Sequence, residues 1–136
     1  MTRDEFRRLQ AEGGFLESFE VYGDLKGTPK RYVVDELAAG RDVMLEVDVQ
    51  GALAVRAAIP EALLVFIQAP SRQEQRRRLL ARGSETPESL QQRLDRADAE
   101  EELARSVFDA VVVNHEVSQA ADEVAAILAH RRAAAS

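Results

Sequence analysis

Apolar and polar positions change period several times along the chain, and each change marks an element. Thr2 can cap a short helix running to about Glu12, with Asp4 and Glu5 at its positive end, and Gly13-Gly14 stops it. Phe15 to Val21 reads as a strand and Gly23-Asp24 as a turn. Tyr22-Gly23-Asp24-Leu25-Lys26-Gly27-Thr28-Pro29 reads as a glycine-punctuated turn leading into a helix that Pro29 opens and Gly40 ends. Val43 to Asp48 is a compact apolar strand ending in carboxylates, followed by a helix from Gly51 that stops at Pro60. The continuous apolar run Leu63–Ile67 predicts a buried parallel strand. Ser71 and Glu74 form a capping-box pattern for an arginine-rich helix. Ser84–Thr86 interrupts that helix, and Pro87 sits at the first position of the next, which runs to about Ser106. Ala110–Val113 is a further buried strand, and Val117–His130 a closing helix before a frayed tail.

Strands alternating with helices predict an α/β fold whose core sheet is at least partly parallel. Ligands in such sheets bind beyond the carboxyl ends of the strands. Those ends carry Glu46, Asp48, Gln68 and Asn114.

Composition narrows the function classes. The 136 residues suit one domain with a real core. The absence of cysteine rules out disulfides and zinc-thiolate sites. No apolar run has the length of a membrane span, and the charged start is not a signal peptide, so a cytoplasmic protein with no membrane partner is expected. The net charge of −6 argues against nucleic acid as a partner. Against that acidic background Arg72, Arg76, Arg77, Arg78, Arg82, Arg93 and Arg96 crowd one stretch, which suggests a local anion site or a solvated, ion-paired helix face.

Four places carry candidate chemistry. Glu46 and Asp48 lie two apart on a strand and point the same way. They can hold a metal-bound water, accept from a base that offers N–H groups, as guanine does and adenine does not, or simply cap the next helix. Glu17 shares a strand face with Phe15 and Phe19, where an acid needs a partner or a ligand unless the strand is an edge. Thr28, at a helix start, with Lys26 nearby, suits a phosphate or is an ordinary N-cap. Arg78 with Arg82, and Arg93 with Arg96, occupy single faces of two helices that can fold as a hairpin. Converging guanidinium groups suit phosphoryl transfer, and i, i+4 pairing such as Glu74 with Arg78 is the plain alternative.

The ordered matches Phe15-Leu16-Glu17, Gly27-Thr28-Pro29, Leu45-Glu46-Val47-Asp48-Val49-Gln50-Gly51-Ala52, Pro70-Ser71, Arg78-Leu79, Arg82-Gly83, Arg93-Leu94 with Ala97 and Glu100, Phe108-Asp109 and Val112-Val113-Asn114 resemble the guanylate kinases from Phe6 to Leu128. The resemblance implies a partial P-loop kinase fold: a parallel core sheet flanked by helices, a remnant of the GMP-binding subdomain at 1–40, and a core at 41–136 with an arginine-rich lid at about 71–96. It implies ATP-dependent phosphorylation of GMP to GDP with Mg²⁺, in purine nucleotide metabolism. Glu17 and Asp48 would read the guanine, Thr28 and Lys26 would meet the GMP phosphate, and Glu46 would lie near the metal through water. Arg82 and Arg93 would clamp ATP phosphates as the catalytic arginines, and Asn114 would lie near the adenine.

Two departures shape the expectation. No G-x-x-x-x-G-K loop occurs in the 136 residues, and lysine stands at position 26 where the family has tyrosine. The chain is therefore expected to be N-terminally truncated relative to the family, inactive alone, and prone to self-association through open sheet edges. The alternatives are a non-catalytic guanylate-kinase-like module that binds protein partners, and a kinase of the same fold with another acceptor.

Overall fold

The computed structural model describes every residue except Tyr22, Ser84, Glu85 and Ser136. It divides into two compact units, Met1–Ala62 and Leu63–Ser136.

The first unit runs α1 (Arg3–Ala11), β1 (Phe15–Val21), β2 (Asp24–Pro29), α2 (Lys30–Ala38) and α3 (Val49–Ala58). Thr2 caps α1 through a reciprocal box with Glu5. Arg3 and Arg7 bridge from α1 to Glu20 on β1, and their hydrogen bonds hold the Glu20 carboxyl below its usual range. β1 and β2 form an antiparallel hairpin. Leu16, Val33 and Val55 make the core, with Val43, Leu45, Ile59 and Ala62 packed against them. Residues 43–62 thus pack with this unit.

Three expectations change here. Asp24–Pro29, read as a turn, is strand β2. Its turn-forming Gly27 has a packing reason instead: a Cβ there would stand 2.8 Å from the Phe15 ring. Val43–Asp48, read as a strand, belongs to no ladder among the described residues. It keeps strand-like alternation, with Val43, Leu45 and Val47 turned inward and Met44, Glu46 and Asp48 exposed. The apolar period is legible in the sequence, but a ladder also needs a partner strand. Third, Glu17 does not share a face with Phe15. Phe15 pairs with Pro29 and Glu17 with Thr28, so β1 carries one extra residue, a bulge at Leu16. The bulge turns Phe15 toward Phe6 of α1, ring centroids 4.4 Å apart, while Leu16 and Glu17 are both buried in succession.

The second unit runs β3 (Val65–Gln68), α4 (Arg72–Ala81), α5 (Pro87–Val107), β4 (Ala110–Val113) and α6 (Val117–Ala135). β3 and β4 pair in parallel, the arrangement expected for these two apolar runs. Asp109 clamps the start of the pair: its backbone N–H donates to the Leu64 carbonyl at 2.9 Å, and its Oδ2 accepts from the Leu64 N–H at 2.8 Å. α4 packs on α5, and α5 and α6 pack on β4, whose Val112 is the most enclosed large side chain described. Ser71 and Thr86 cap α4 and α5, and Pro87 opens α5 as expected. The interruption read at Ser84–Thr86 lies outside the described residues apart from Thr86, as does the Tyr22 end of the first turn. The closing helix continues past His130, with no frayed start to its tail at Arg131. No helix among the described residues is long and apolar enough to cross a membrane.

Candidate functional site

The bulge decides where the first unit puts its chemistry. With register reset at Leu16, Glu17 and Phe19 of β1 line one cavity with their cross-strand neighbours Thr28 and Lys26. The extended segment after α2 supplies the facing wall through Met44, Glu46 and Asp48. The cavity is about 480 Å³, within the roughly 300–1,000 Å³ of small-molecule sites.

Glu17 is the one buried charged residue of the described core, 7% exposed. Its Oε1 accepts from the Thr28 hydroxyl at 2.6 Å, and its Oε2 is buried with no hydrogen-bond partner among the described residues. A buried acceptor left open costs on the order of 1–3 kcal/mol, so a donor placed beside it is favoured. Asp48 is the N-cap of α3, its Oδ1 accepting from the Gly51 N–H at 2.7 Å. The plain capping reading of Asp48 is therefore true of this oxygen, and the cap also fixes where the carboxylate stands. A Cβ on Gly51 would lie 3.1 Å from Asp48 Oδ1 and 3.6 Å from Glu17 Oε2. The bare glycine is what lets the two acids approach one point. Both sit at the amino end of α3, where the helix dipole favours negative charge.

All five first-unit residues singled out by sequence, Glu17, Lys26, Thr28, Glu46 and Asp48, line this cavity. Thr28 does not cap α2: Pro29 holds that position without a side-chain bond, and the Thr28 hydroxyl goes to Glu17 instead. Thr28 itself lies on β2, one residue before that cap. Lys26 is exposed at the cavity with no ion-pair partner among the described residues. Sequence reasoning missed Gly51 and Met44. A glycine three residues after an acid, at the third position of a helix, was the available signal for the first. Nothing marks Met44.

The second unit carries the other candidates. Asn114 follows β4, and its backbone N–H donates to the Gln68 carbonyl at 2.7 Å, joining the carboxyl ends of β3 and β4. Its Oδ1 is buried without a hydrogen-bond partner among the described residues, an open acceptor that suits an amino donor such as that of adenine. Arg82 ends α4, exposed and without an ion-pair partner among the described residues, and Arg93 is exposed on α5, so the structure packs together the helices that bear them. Arg72, Arg77, Arg78 and Arg96 are engaged structurally. Arg78 donates to Glu74 and to the Asn114 carbonyl, both at 3.0 Å, and Arg96 pairs with Glu100. Arg72 pairs with Asp98 across α4 and α5. Arg77, with help from Arg78, holds the Glu74 carboxyl down at about 2. Among the described residues no three His, Cys, Asp or Glu side chains gather around a metal position.

The family model described as guanylate kinase matches residues 1–131. Guanylate kinase of Dechloromonas aromatica is 46% identical over 124 residues, covering 91% of this chain and 61% of that protein. Guanylate kinase of Thermus thermophilus is 47% identical over 133 residues, covering 97% and 60%. The crystal structure of guanylate kinase from Anaplasma phagocytophilum superposes with a TM-score of 0.73 at 30% identity, over 96% of this chain and 62% of that one. The chain thus spans about 60% of the length of these relatives. The α/β fold is that of a guanylate kinase in part, and the chain belongs to the guanylate kinase family.

Proposed function

We propose that residues 1–136 supply the GMP site and part of the ATP site of a guanylate kinase, which transfers the terminal phosphoryl group of ATP to GMP, giving ADP and GDP. The observation that carries this reading is the buried Glu17 carboxylate, whose Oε2 has no hydrogen-bond partner among the described residues and lies with Asp48 Oδ1 around a single point at Gly51. Two acceptors around one cavity suit the N1–H and N2–H₂ donors of guanine. Adenine offers no such edge.

The remaining groups divide the work. Lys26, two residues along β2 from Thr28, sits at a strand spacing of about 6–7 Å from the base end. It is a point charge for the acceptor phosphate in place of the family's tyrosine. Arg82 and Arg93 clamp the donor phosphates, and the open Asn114 Oδ1 accepts from the adenine amine. Mg²⁺ commonly binds through one or two carboxylates plus substrate phosphates, so Glu46 at the cavity wall is fit to hold it through water. When bound, the metal neutralises phosphate charge. The protein's share of the catalysis is to orient both phosphates in line and surround them with donors.

Lys26 supports one second reading, a binding module that keeps the GMP cavity and handles no donor nucleotide. Calorimetric titration of the chain with GMP, AMP and ATP tests both. Binding of GMP with at least tenfold preference over AMP supports the GMP site, and equal affinities refute it. GMP binding without ATP binding favours the module.

A further inference from the structure

Helix α4 ends on Arg82, yet no buried apolar stripe fixes how it lies, because none of its side chains reaches full burial. A helix ordinarily takes its register from such a stripe packed into a neighbour. Polar ties hold α4 instead. Arg78 ties it to the Asn114 carbonyl at 3.0 Å. Arg72, its first residue, ties it to α5. The Arg72 Nη1 donates to the Leu94 carbonyl at 3.2 Å and to the Gln75 side chain at 2.8 Å, and Nη2 pairs with Asp98. Leu94 and Asp98 stand four apart on α5, so one guanidinium spans a turn of that helix. The short link from α4 to α5 makes them an antiparallel pair, and the clasp sets Asp98 level with Arg72. From that level Arg93 lies five residues nearer the link on α5, and Arg82 ten residues nearer it on α4. The helical rise therefore offsets the two arginines by about 7.5 Å along the helices. Such an offset suits the length of a triphosphate chain better than a single phosphate group.

We propose that Arg72 is a positioning residue for the donor-phosphate clamp: by clasping α4 to α5 it sets the offset of Arg82 and Arg93, and so makes the pair fit a triphosphate better than a diphosphate. The inference rests on the ATP reading above and deepens it. Arg72 itself stays off the ligand, because its guanidinium is committed to Leu94, Gln75 and Asp98. Both members of the ion pair are partly exposed, so the pair adds little to stability. Its effect is on register, where a slip of one turn moves Arg82 by about 5.4 Å relative to Arg93.

The test titrates the full chain at low salt with tripolyphosphate and with pyrophosphate, followed by phosphorus NMR. The original chain is expected to bind tripolyphosphate about tenfold more tightly, and Arg82→Ala or Arg93→Ala to cut that ratio to about threefold or less. Asp98→Asn releases the clasp and is expected to lower tripolyphosphate affinity by about threefold, with a smaller change for pyrophosphate. Charge alone predicts the opposite sign, since the substitution removes a negative charge and would tighten any anion. Arg72→Lys keeps the charge, loses the planar fork, and is expected to act in the same direction. In an Arg93→Ala background, adding Asp98→Asn is expected to change tripolyphosphate affinity by less than about 1.5-fold. If Asp98→Asn does not fold, judged by circular dichroism, Arg72→Lys carries the same cycle. Tripolyphosphate bound unchanged or more tightly by the folded asparagine or lysine variant overturns the proposal. So does an equal loss for the two anions, or a loss of the same size in the Arg93→Ala background. A chain that binds no tripolyphosphate, or binds it unchanged in Arg82→Ala and Arg93→Ala, removes the ATP-clamp reading and this inference together. Weaker binding in those two variants with none in Asp98→Asn removes only the inference.

Discussion

Asp48 holds two jobs that substitution can separate. Its Oδ1 accepts the Gly51 N–H at 2.7 Å as the N-cap of α3, and its carboxylate borders the cavity shared with Glu17. Asparagine caps a helix about as well as aspartate, and alanine does not. Asp48→Ala is therefore expected to lose about 1 kcal/mol of stability from the cap, which for a chain of this size lowers the melting temperature by about 4 °C. Asp48→Asn should stay within about 1 °C of the original chain by the same reasoning. Ligand binding should respond differently. On the proposed GMP reading, either substitution removes an ionised acceptor for the guanine donors, worth about 1.5–3 kcal/mol, so GMP affinity should fall about 10- to 100-fold in both. Paired thermal melts and GMP titrations read the two effects side by side. An asparagine variant that melts as low as the alanine variant would refute the capping argument. An asparagine variant that binds GMP unchanged would refute the guanine-reading role.

Gly51→Ala would normally favour a helix, but here the added Cβ would stand 3.0 Å from Val47 Cβ and 3.1 Å from Asp48 Oδ1. It should destabilise by about 1–3 kcal/mol in urea unfolding and weaken GMP binding. An Ala variant more stable than the original contradicts the account. Glu74 gives a pH prediction: its folded pKa, about 2, lies below the ordinary 4.5, so the stability it contributes is complete above about 4.5 and is lost as pH falls toward 2. Thermal melts from pH 5 to 2 should therefore fall more steeply for the original chain than for Glu74→Gln, and identical slopes would count against the Arg77–Glu74–Arg78 arrangement. The outer edges of β3 and β4 have no ladder partner among the described residues, and Ile67 and Val111 are 49% and 41% exposed. Sedimentation should show association that grows with concentration, and a strictly monomeric chain at all concentrations would refute this.

Much of the helical frame was legible because its signals are local. Thr2 with Glu5, Ser71 with Glu74, and Pro87 each announce a helix within four residues. Thr2 caps as read. Ser71 accepts from the Glu74 N–H, while the Glu74 carboxylate turns to Arg77 and Arg78 and leaves that box half formed. Thr86, read as an interruption, caps α5. The apolar runs ending at Ile67 and Val113 were legible as strands by their unbroken apolar character, but the burial expected of them is met within the two strands only at Val112. What escaped depends on partners far away in sequence. The Val43–Asp48 run has strand periodicity and no ladder, which no reading of its own residues can show. The bulge at Leu16 follows from how β1 meets β2, so strict alternation put Phe15 and Glu17 on one face when the fold separates them. The same limit applies to the site. Glu17, Thr28 and Asp48 could be named from their types and from family resemblance. The hydrogen bond that joins Thr28 to Glu17, and the gap at Gly51 that brings Glu17 and Asp48 around one point, emerge only when the hairpin and α3 are assembled.

The most direct test of the central claim is a crystal structure of the chain grown with GMP. The account predicts the guanine N1–H and N2–H₂ within about 3 Å of acceptor oxygens of Glu17 and Asp48, with the phosphate toward Lys26. A nucleotide seated elsewhere, or one whose phosphate rather than base meets Glu17, would contradict it.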